Sequence, residues 1–299
     1  MGFISVPRNF WFVDFVVHST LGIDPSNPKV KTSVDVIRVA KEPWNEMVLE
    51  GNIESKYLFA TLLGKDLIPF GFVEFRPVVL PLESTPNGFR FSPASQMKNN
   101  MSDWLKQCQK FWEEKRTAKS KTNFPVVTDR LYRHGLLTVQ KPSNRFVVLY
   151  NCRGSDSMTF VLDRRSLPAF TPSGTEIKPT EFVAEATTYY YETNDENEAH
   201  YLCSVLNSDI VHKLVKPFQP RGAYGNRDLS RRPFMLPIPE FDGNNAEHKS
   251  LASIGKECHQ KILSTKFDAN GFRSMRNESK LLLKQELKSI NDLVKSILH

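Results

Sequence analysis

The clearest order of secondary-structure signals lies in residues 187–208, which read Thr-Thr-Tyr-Tyr-Tyr-Glu-Thr-Asn-Asp-Glu-Asn-Glu-Ala-His-Tyr-Leu-Cys-Ser-Val-Leu-Asn-Ser. The β-branched and aromatic residues of 182–193 predict a strand. Asn194 or Asp195 can cap a following helix, and Glu198 falls in its first turn, where a negative charge suits the helix dipole. Residues at helical spacing form one apolar face of that helix, namely Ala199, Leu202, Val205 and Leu206.

The chain becomes basic after this helix. A second short helix over 209–215 can follow, and Pro217 limits it because the residue before a proline avoids helical geometry. Between residues 209 and 232 there are six lysines and arginines and only two acidic residues, so the segment carries a charge of +4. The basic residues are Lys213, Lys216, Arg221, Arg227, Arg231 and Arg232, and the acidic ones are Asp209 and Asp228.

Residues 221–232 are the best polyanion-binding candidate in the sequence. Gly222 and Gly225 let the backbone approach a ligand closely, and Tyr224 can stack on a base or bond a phosphate. The alternative is a solvated loop whose arginines pair with nearby carboxylates, because basic loops are common. The DNA contacts that we predict here are Arg221, Tyr224, Arg227, Arg231 and Arg232.

Two motifs follow one another in this region. The first is Tyr-Tyr-Tyr-Glu at 189–192, then an acidic helix start, then Ala-x-Tyr-Leu-x-x-x-Leu-Asn-Ser at 199–208. The second is Arg-Arg-Pro-Phe-x-Leu-Pro-Ile-Pro at 231–239, followed by Phe-Asp and a helix that holds His248. As a series, these motifs resemble the C-terminal part of N6-adenine DNA methyltransferases, above all those of the type IIG-like restriction–modification group.

The resemblance implies a target-recognition region that reads double-stranded DNA beside a methyltransferase domain. It extends back to about Trp44, through Gly-Lys-Asp-Leu-Ile-Pro-Phe at 64–70, and so covers most of the chain. By resemblance, Lys65 belongs to the DNA-binding region, although a helix C-cap and turn would explain the same residues without DNA. The cofactor S-adenosylmethionine would be held by a methyltransferase domain that lies upstream, outside this chain.

No catalytic motif is found in the sequence. A methyltransferase of this group needs a Gly-rich loop for S-adenosylmethionine and an Asn/Asp-Pro-Pro-Tyr/Phe motif that contacts the flipped base. Neither occurs, and neither does a P-loop, His-Glu-x-x-His or Gly-x-Ser-x-Gly. We therefore assign no catalytic residue and no metal ligand. We expect this chain alone neither to methylate DNA nor to bind the cofactor.

Two other classes of function stay open. One is an interaction or scaffold module that uses the C-terminal helices, which strong partner binding with weak DNA affinity would favour. The other is a nuclease or other hydrolase with an unrecognised site, which metal-dependent nicking would favour. Asp156 and Asp163 are candidates for such a site, but no convincing set of carboxylates accompanies them.

Composition sets the general class of the protein. The chain has 299 residues, 40% of them hydrophobic and 24% charged, which is ordinary for a globular protein. Its net charge of +7 permits an anionic partner without requiring one. Four cysteines without a Cys-x-x-Cys pair favour a reducing, cytoplasmic setting and argue against a Cys-rich zinc site. No apolar run approaches the roughly 18 residues of a membrane helix.

The patterns together predict an α+β fold in three parts. Residues 1–125 form a mixed N-terminal part, with strands over 10–17 and 32–39, a helix over 53–62 and a helix over 99–121. Residues 126–243 form an antiparallel, β-rich core. Residues 244–299 form a helical tail.

The predicted core contains three short runs, at 136–140, 146–150 and 158–162, which indicate an antiparallel meander. Lys141, Arg145 and Arg153 lie in its turns, and loops at the end of a rigid sheet often carry binding groups. We therefore add these three residues to the predicted DNA contacts.

The tail contains two predicted helices, over 246–266 and 277–298. The second has an apolar seam that resembles heptad spacing but spans only about two heptads. We expect the seam to pack on its own domain, with docking on another subunit or domain as the alternative. The seam residues are Leu283, Leu287, Ile290, Val294 and Ile297.

Overall fold

The computed structural model describes residues 1–85, 87–92, 97–220, 228–267 and 271–298. Helices and antiparallel sheets both contribute to these residues, and the C-terminal part is helical. The predicted α+β class is therefore confirmed. Within the described residues, the buried apolar side chains form a large N-terminal cluster, a cluster between the central sheet and the C-terminal helices, and a smaller cluster between the two.

The N-terminal part is built from short antiparallel strands. The order β1-β2-β3 forms one sheet, and three pairs, β4-β7, β5-β6 and β8-β9, form the others. The strands are β1 (Val13–Phe15), β2 (Lys29–Thr32), β3 (Glu50–Asn52), β4 (Leu58–Thr61), β5 (Leu67–Ile68), β6 (Gly71–Phe72), β7 (Arg76–Val79), β8 (Leu82–Thr85) and β9 (Gly88–Phe91). The helices of this part are α1 (Val34–Val39), α2 (Asn99–Lys115), α3 (Ala118–Asn123) and α4 (Val127–Leu131).

Helix α2 buries the apolar stripe expected from its sequence against these strands. Its side chains Met101, Leu105, Cys108 and Trp112 are all buried. The first amides of a helix lack partners within the helix, and here the Glu54 carboxylate accepts from the amides of Asn100 and Met101. A remote loop therefore fixes where α2 begins.

The central sheet has the strand order β11-β10-β12, and both pairings are antiparallel. Its strands are β10 (Phe146–Asn151), β11 (Thr159–Asp163) and β12 (Thr188–Thr193). Every residue of β10 is buried, which is expected for a middle strand that is covered on both faces. The pairing of β10 with β11 confirms two of the three runs of the predicted meander.

Two helices pack on this sheet, α5 (Glu196–Asn207) and α6 (Asp209–Val215). The Asp195 carboxylate caps α5 by accepting from the amides of Asn197 and Glu198, as predicted. The Asn207 side chain ties the end of α5 to β11, because its Oδ1 accepts from the Thr159 amide at 3.0 Å and its Nδ2 donates to the Thr159 carbonyl at 2.9 Å.

The tail consists of α7 (Ala246–Ser264), α8 (Phe272–Leu282) and α9 (Lys284–Ile297). Asn245 caps α7, and α7 packs along α5. Leu283, Ile290 and Val294 of the predicted seam are fully buried in the cluster that the tail shares with the central sheet. The seam therefore packs on its own chain. The single helix predicted for 277–298 is wrong in one respect, because it breaks at Leu283 into α8 and α9.

Two predictions for the N-terminal part are wrong. Residues 32–39 form the end of β2 and then helix α1, because the Asp14 carboxylate caps the helix by accepting from the Val34 amide at 2.8 Å. Residues 53–62 contain a turn of 3-10 helix at Ser55–Tyr57 followed by strand β4, instead of one helix. All four residues of β4 are buried, so the sequence has no alternation, and periodicity cannot separate such a strand from a buried helix.

Two other predicted strands differ from the structure. The predicted strand 10–17 is shorter, with a turn of 3-10 helix at Arg8–Phe10 before β1. The run 136–140 forms turns, and the Gln140 side chain there donates to and accepts from the Ala184 backbone. The third strand of the sheet is instead β12, the end of the predicted strand 182–193.

Candidate nucleic-acid interface

The predicted basic residues lie at both ends of β10. This strand spans roughly 17 Å from Phe146 to Asn151 at about 3.4 Å per residue. Arg145 precedes it and Arg153 follows it. Lys141 lies near Arg145, because its amide donates to the carboxylate of Glu192 near the end of β12. The residues that the sequence analysis grouped as turn residues are therefore separated by the length of the sheet.

At the Arg153 end, a short segment from Asp228 to Arg231 runs across the end of β10. The Cys152 carbonyl accepts from the amides of Leu229 and Ser230, at 2.9 and 3.4 Å. The Tyr150 hydroxyl donates to the Ser230 carbonyl at 2.7 Å, and burial raises the pKa of this tyrosine. These bonds hold the last part of the predicted DNA-binding segment 221–232 against the end of a buried strand.

Arg153 and Arg231 are exposed at this end of the sheet. Neither forms an ion pair within the described part of the chain. The neighbouring Asp228 carboxylate accepts from Ser230 Oγ at 2.6 Å. Burial lowers the pKa of the Met1 amino group, and the nearby charge of Arg231 lowers it further. Two exposed arginines therefore lie here without an ion pair, close to the carboxylate of Asp228.

Arg232 differs from Arg231 because its side chain braces the backbone. Its Nε donates to the Phe218 carbonyl at 2.6 Å, and its Nη1 donates to the Asp228 carbonyl at 3.3 Å. The Asp228 amide also donates to the Pro220 carbonyl at 3.3 Å. These bonds fasten both ends of 221–227. Three of the predicted contacts, Arg221, Tyr224 and Arg227, lie in that loop and outside the described residues.

Lys65 lies at the same end of the sheet, in the turn between β4 and β5. The Gly64 amide donates to Thr187 Oγ1 at 3.0 Å, and the Cys152 amide donates to the Thr187 carbonyl at 2.8 Å. A Cβ on Gly64 would lie 2.5 Å from that carbonyl oxygen, so only glycine fits the approach. The Lys65 ammonium lies 5.2 Å from the ring centre of Phe272, on helix α8.

At the opposite end of β10, two arginines are paired with carboxylates. The Arg145 guanidinium binds the Asp163 carboxylate, with Nη2 and Oδ2 at 2.7 Å, and this bond lowers the pKa of Asp163. The buried Arg164 nearby pairs with Glu181 and Glu192, at 2.9 and 2.7 Å. Among the predicted arginine contacts in the described residues, Arg145 is therefore ion-paired, whereas Arg153 and Arg231 are exposed and form no ion pair.

A second basic cluster, which the sequence analysis did not assign to DNA, surrounds Phe124. The guanidinium carbons of Arg130 and Arg133 lie 5.9 and 5.6 Å from the centre of its ring. Arg116 donates to the Phe124 carbonyl at 2.9 Å. Burial lowers the pKa of Arg130, and the charge of Arg133 lowers it further. The signal in the sequence is that Arg130 and Arg133 follow Phe124 within ten residues.

The structure also bears on other kinds of site. Within the described ranges, no three His, Cys, Asp or Glu side chains converge in a way that could hold a metal ion. No helix in that part of the chain is both long and apolar enough to cross a membrane.

Comparisons with known proteins give a match at the level of fold. No protein-family model matches the sequence, and no curated protein matches it. Among solved structures, the fold is similar to that of the Type IIL restriction-modification enzyme MmeI, whose structure was determined in complex with DNA. The TM-score is 0.52 at 11% sequence identity, over 81% of this chain and 28% of that chain. The chain therefore shares the fold of a part of that enzyme and spans about a quarter of its length.

Proposed function

We propose that this chain is the DNA target-recognition region of a restriction–modification protein that methylates adenine at N6. The observation that carries the proposal is the pair of exposed arginines without an ion pair, Arg153 and Arg231, beside the fastened ends of 221–227. The structural similarity to a restriction-modification enzyme solved with DNA supports it, as do the sequence motifs at 189–239.

The residues divide between holding DNA in place and reading it. Exposed guanidinium groups on a rigid sheet bind phosphates, which fixes the register of the duplex without reading sequence. Arg153, Arg231 and Lys65 take this role from one end of the sheet. Residues 221–227 carry two more arginines and Tyr224, and side chains of these types can contact base edges in a groove. Arg232 holds the base of the loop.

In this proposal, a domain outside this chain catalyses the methylation. That domain would bind S-adenosylmethionine and accept the flipped adenine, while this chain positions the double-stranded DNA. The sequence has no Gly-rich cofactor loop. In the proposal, this chain therefore binds and orients the DNA. The scaffold alternative finds no support in the tail, since its apolar seam is buried within the chain.

The test is DNA binding at a series of salt concentrations, measured by fluorescence anisotropy with the full chain. Each phosphate contact contributes a slope of about −0.9 to a plot of log K against log salt. Replacing Arg153 and Arg231 together by Ala should therefore flatten the slope by roughly two units. The matched control is Arg165→Ala, which removes an exposed arginine at the opposite end of the central sheet. An equal effect of both variants, or no DNA binding at low salt by the folded chain, would refute the assignment.

A further inference from the structure

A cleft of about 560 Å³ opens beside the central sheet, away from Arg153 and Arg231. It lies between β6 and β11 on one side and helices α5 and α7 on the other, with Phe72, Phe160, His200 and His259 among its lining residues. Its volume falls within the roughly 300–1,000 Å³ that is usual for small-molecule sites. The DNA-binding surface proposed above does not use these residues.

One wall of the cleft is a continuous row of aromatic rings. The ring centres of Phe72 and Phe75 are 4.4 Å apart, and those of Phe72 and Phe160 are 4.9 Å apart. Phe160 continues the row by stacking on His259, with centres 5.4 Å apart and planes inclined by 23°. A wall of this kind favours a flat ring, because aromatic faces bind other aromatic faces in offset stacks.

Of the two histidines that line the cleft, His259 supplies an accessible polar atom, whereas the Nδ1 of His200 is itself buried. His200 is 4% exposed, and its Nδ1 has no hydrogen-bond partner within the described residues. His259 Nδ1 lies 3.2 Å from the Phe70 carbonyl, which can only accept, so this nitrogen donates and Nε2 of the neutral ring is left as an acceptor. Burial lowers the pKa of both histidines, that of His200 to about 3, so both rings are neutral near pH 7.

The charged residues around the cleft are already paired. Lys256 Nζ lies 2.9 Å from a Glu196 carboxylate oxygen, and Arg145 pairs with Asp163 at 2.7 Å. A charged ligand would find no free opposite charge here. A purely apolar ring would leave His259 Nε2 without a partner, which is costly. The cleft therefore suits a neutral, flat ring that carries a hydrogen-bond donor.

We propose that this cleft binds a nucleobase, which stacks on the half-buried rings of Phe72 and Phe75 and donates a hydrogen bond to His259 Nε2. A nucleobase combines a flat face with polar edges, and proteins read single bases by this combination of stacking and edge contacts. The base has two possible sources, a free nucleoside or a nucleotide extruded from DNA or RNA. The proposal rests on the cleft alone and stands whether or not Arg153 and Arg231 bind DNA.

The experiment titrates the full chain into 2-aminopurine, whose fluorescence falls when the base stacks on aromatic rings. One arm uses the free riboside, and the other uses a DNA hairpin with a single unpaired 2-aminopurine. Saturable quenching of the riboside identifies a soluble ligand, and saturable quenching of the hairpin alone identifies an extruded base. The absence of saturable quenching in both arms, up to millimolar protein, would overturn the proposal.

Variants locate the binding site. Leu263 lines the cleft and is 52% exposed, so Leu263→Trp fills the cleft without disturbing the core and should weaken binding at least tenfold. Leu281→Trp is the matched control, because Leu281 is 73% exposed on α8 and does not line the cleft. His259→Phe keeps the stacked ring but removes its nitrogens, and should weaken binding several-fold. Unchanged affinity in the folded Leu263→Trp variant would place the bound base elsewhere and refute the proposal.

Discussion

Asp66 and Arg76 form a buried, two-pronged ion pair, with Nε to Oδ2 at 2.7 Å and Nη2 to Oδ1 at 2.8 Å. Asp66 is fully buried, and it also accepts from the Leu63 amide at 2.9 Å. Burial alone would lower the pKa of Arg76, but the bonds to Asp66 and Asp35 raise it. The pair fixes the turn that carries Lys65, so the position of one predicted DNA contact depends on it.

Asp66→Asn should lower the free energy of unfolding by about 3 kcal/mol, because the substitution leaves a buried guanidinium without its main counter-charge. Urea unfolding at pH 7 measures this loss. Asp35→Asn is the control, because Asp35 makes a single bond to Arg76 at 3.2 Å and its side chain is 44% exposed. That variant should cost less than about 1 kcal/mol. Equal losses in the two variants would contradict the difference in burial.

Arg231→Ala and Arg232→Ala should have opposite effects on stability and on DNA binding. Arg231 is exposed, so its removal should flatten the salt dependence of DNA binding by about one unit and leave stability unchanged. Arg232 donates to two backbone carbonyls, so its removal should cost about 1–3 kcal/mol of stability. Thermal unfolding and anisotropy on the same samples measure both effects. The assignment fails if Arg231→Ala unfolds the protein while Arg232→Ala only weakens DNA binding.

Arg130 and Arg133 should add to DNA binding if the cluster around Phe124 is part of the same interface. Replacing both by Ala should flatten the slope of log K against log salt by roughly two units. Lys106→Ala serves as the control, since Lys106 is paired with Asp103 at 2.8 Å and exposed on α2. A double variant with the wild-type slope would confine the interface to the end of the central sheet.

The stability of the protein should fall as the pH drops below about 6.5, in part because of His200. Burial, then the neighbouring His259 and Lys256, lower the pKa of His200 to about 3. The folded state therefore stays neutral at this residue while the unfolded state takes up a proton below its ordinary pKa. This difference in protonation disappears above pH 6.5, and at pH 5.5 it lowers the free energy of unfolding by about 1 kcal/mol.

Urea unfolding at pH 7.5 and 5.5 tests this expectation. His200→Gln should lose about 1 kcal/mol less than the wild type between the two pH values, because the glutamine does not titrate. His18→Gln is the control, because His18 is exposed. An identical pH dependence in wild type and His200→Gln would show that His200 is not the group responsible.

Elements that depend on residues nearby in the sequence were predicted correctly, whereas elements that depend on distant residues were not. The Asp195 cap and the helix at 209–215 depend on neighbouring residues, and both were predicted correctly. Helix α1 depends instead on Asp14 from another strand, and no window around Val34 contains that information. Strand β4 is buried on both faces, so it has no alternating pattern to detect.

For the candidate site, the sequence predicted which residue types are present but not how they are arranged in space. The sequence placed arginines in loops, but the antiparallel pairing of β10 determines that Arg145 and Arg153 lie at opposite ends. Whether an arginine is free or paired depends on contacts that are distant in sequence. Arg145 meets Asp163, 18 residues away, whereas Arg153 meets no carboxylate within the described residues. The cleft at His200 and His259 combines residues from five separate segments, and no single motif marks it.

The hydrogen bond from the Asp228 amide to the Pro220 carbonyl bears on which sequence changes the protein can accept during evolution. It closes the loop at its base, and Arg232 reinforces the closure from the side. Each doubling of loop length then costs only about 0.6 kcal/mol in closure entropy. The residues on either side of 221–227 are therefore held together by bonds that do not depend on the sequence between them. Under the proposed function, substitutions within those seven residues would change the DNA sequence that is preferred, while the flanking residues stay the same.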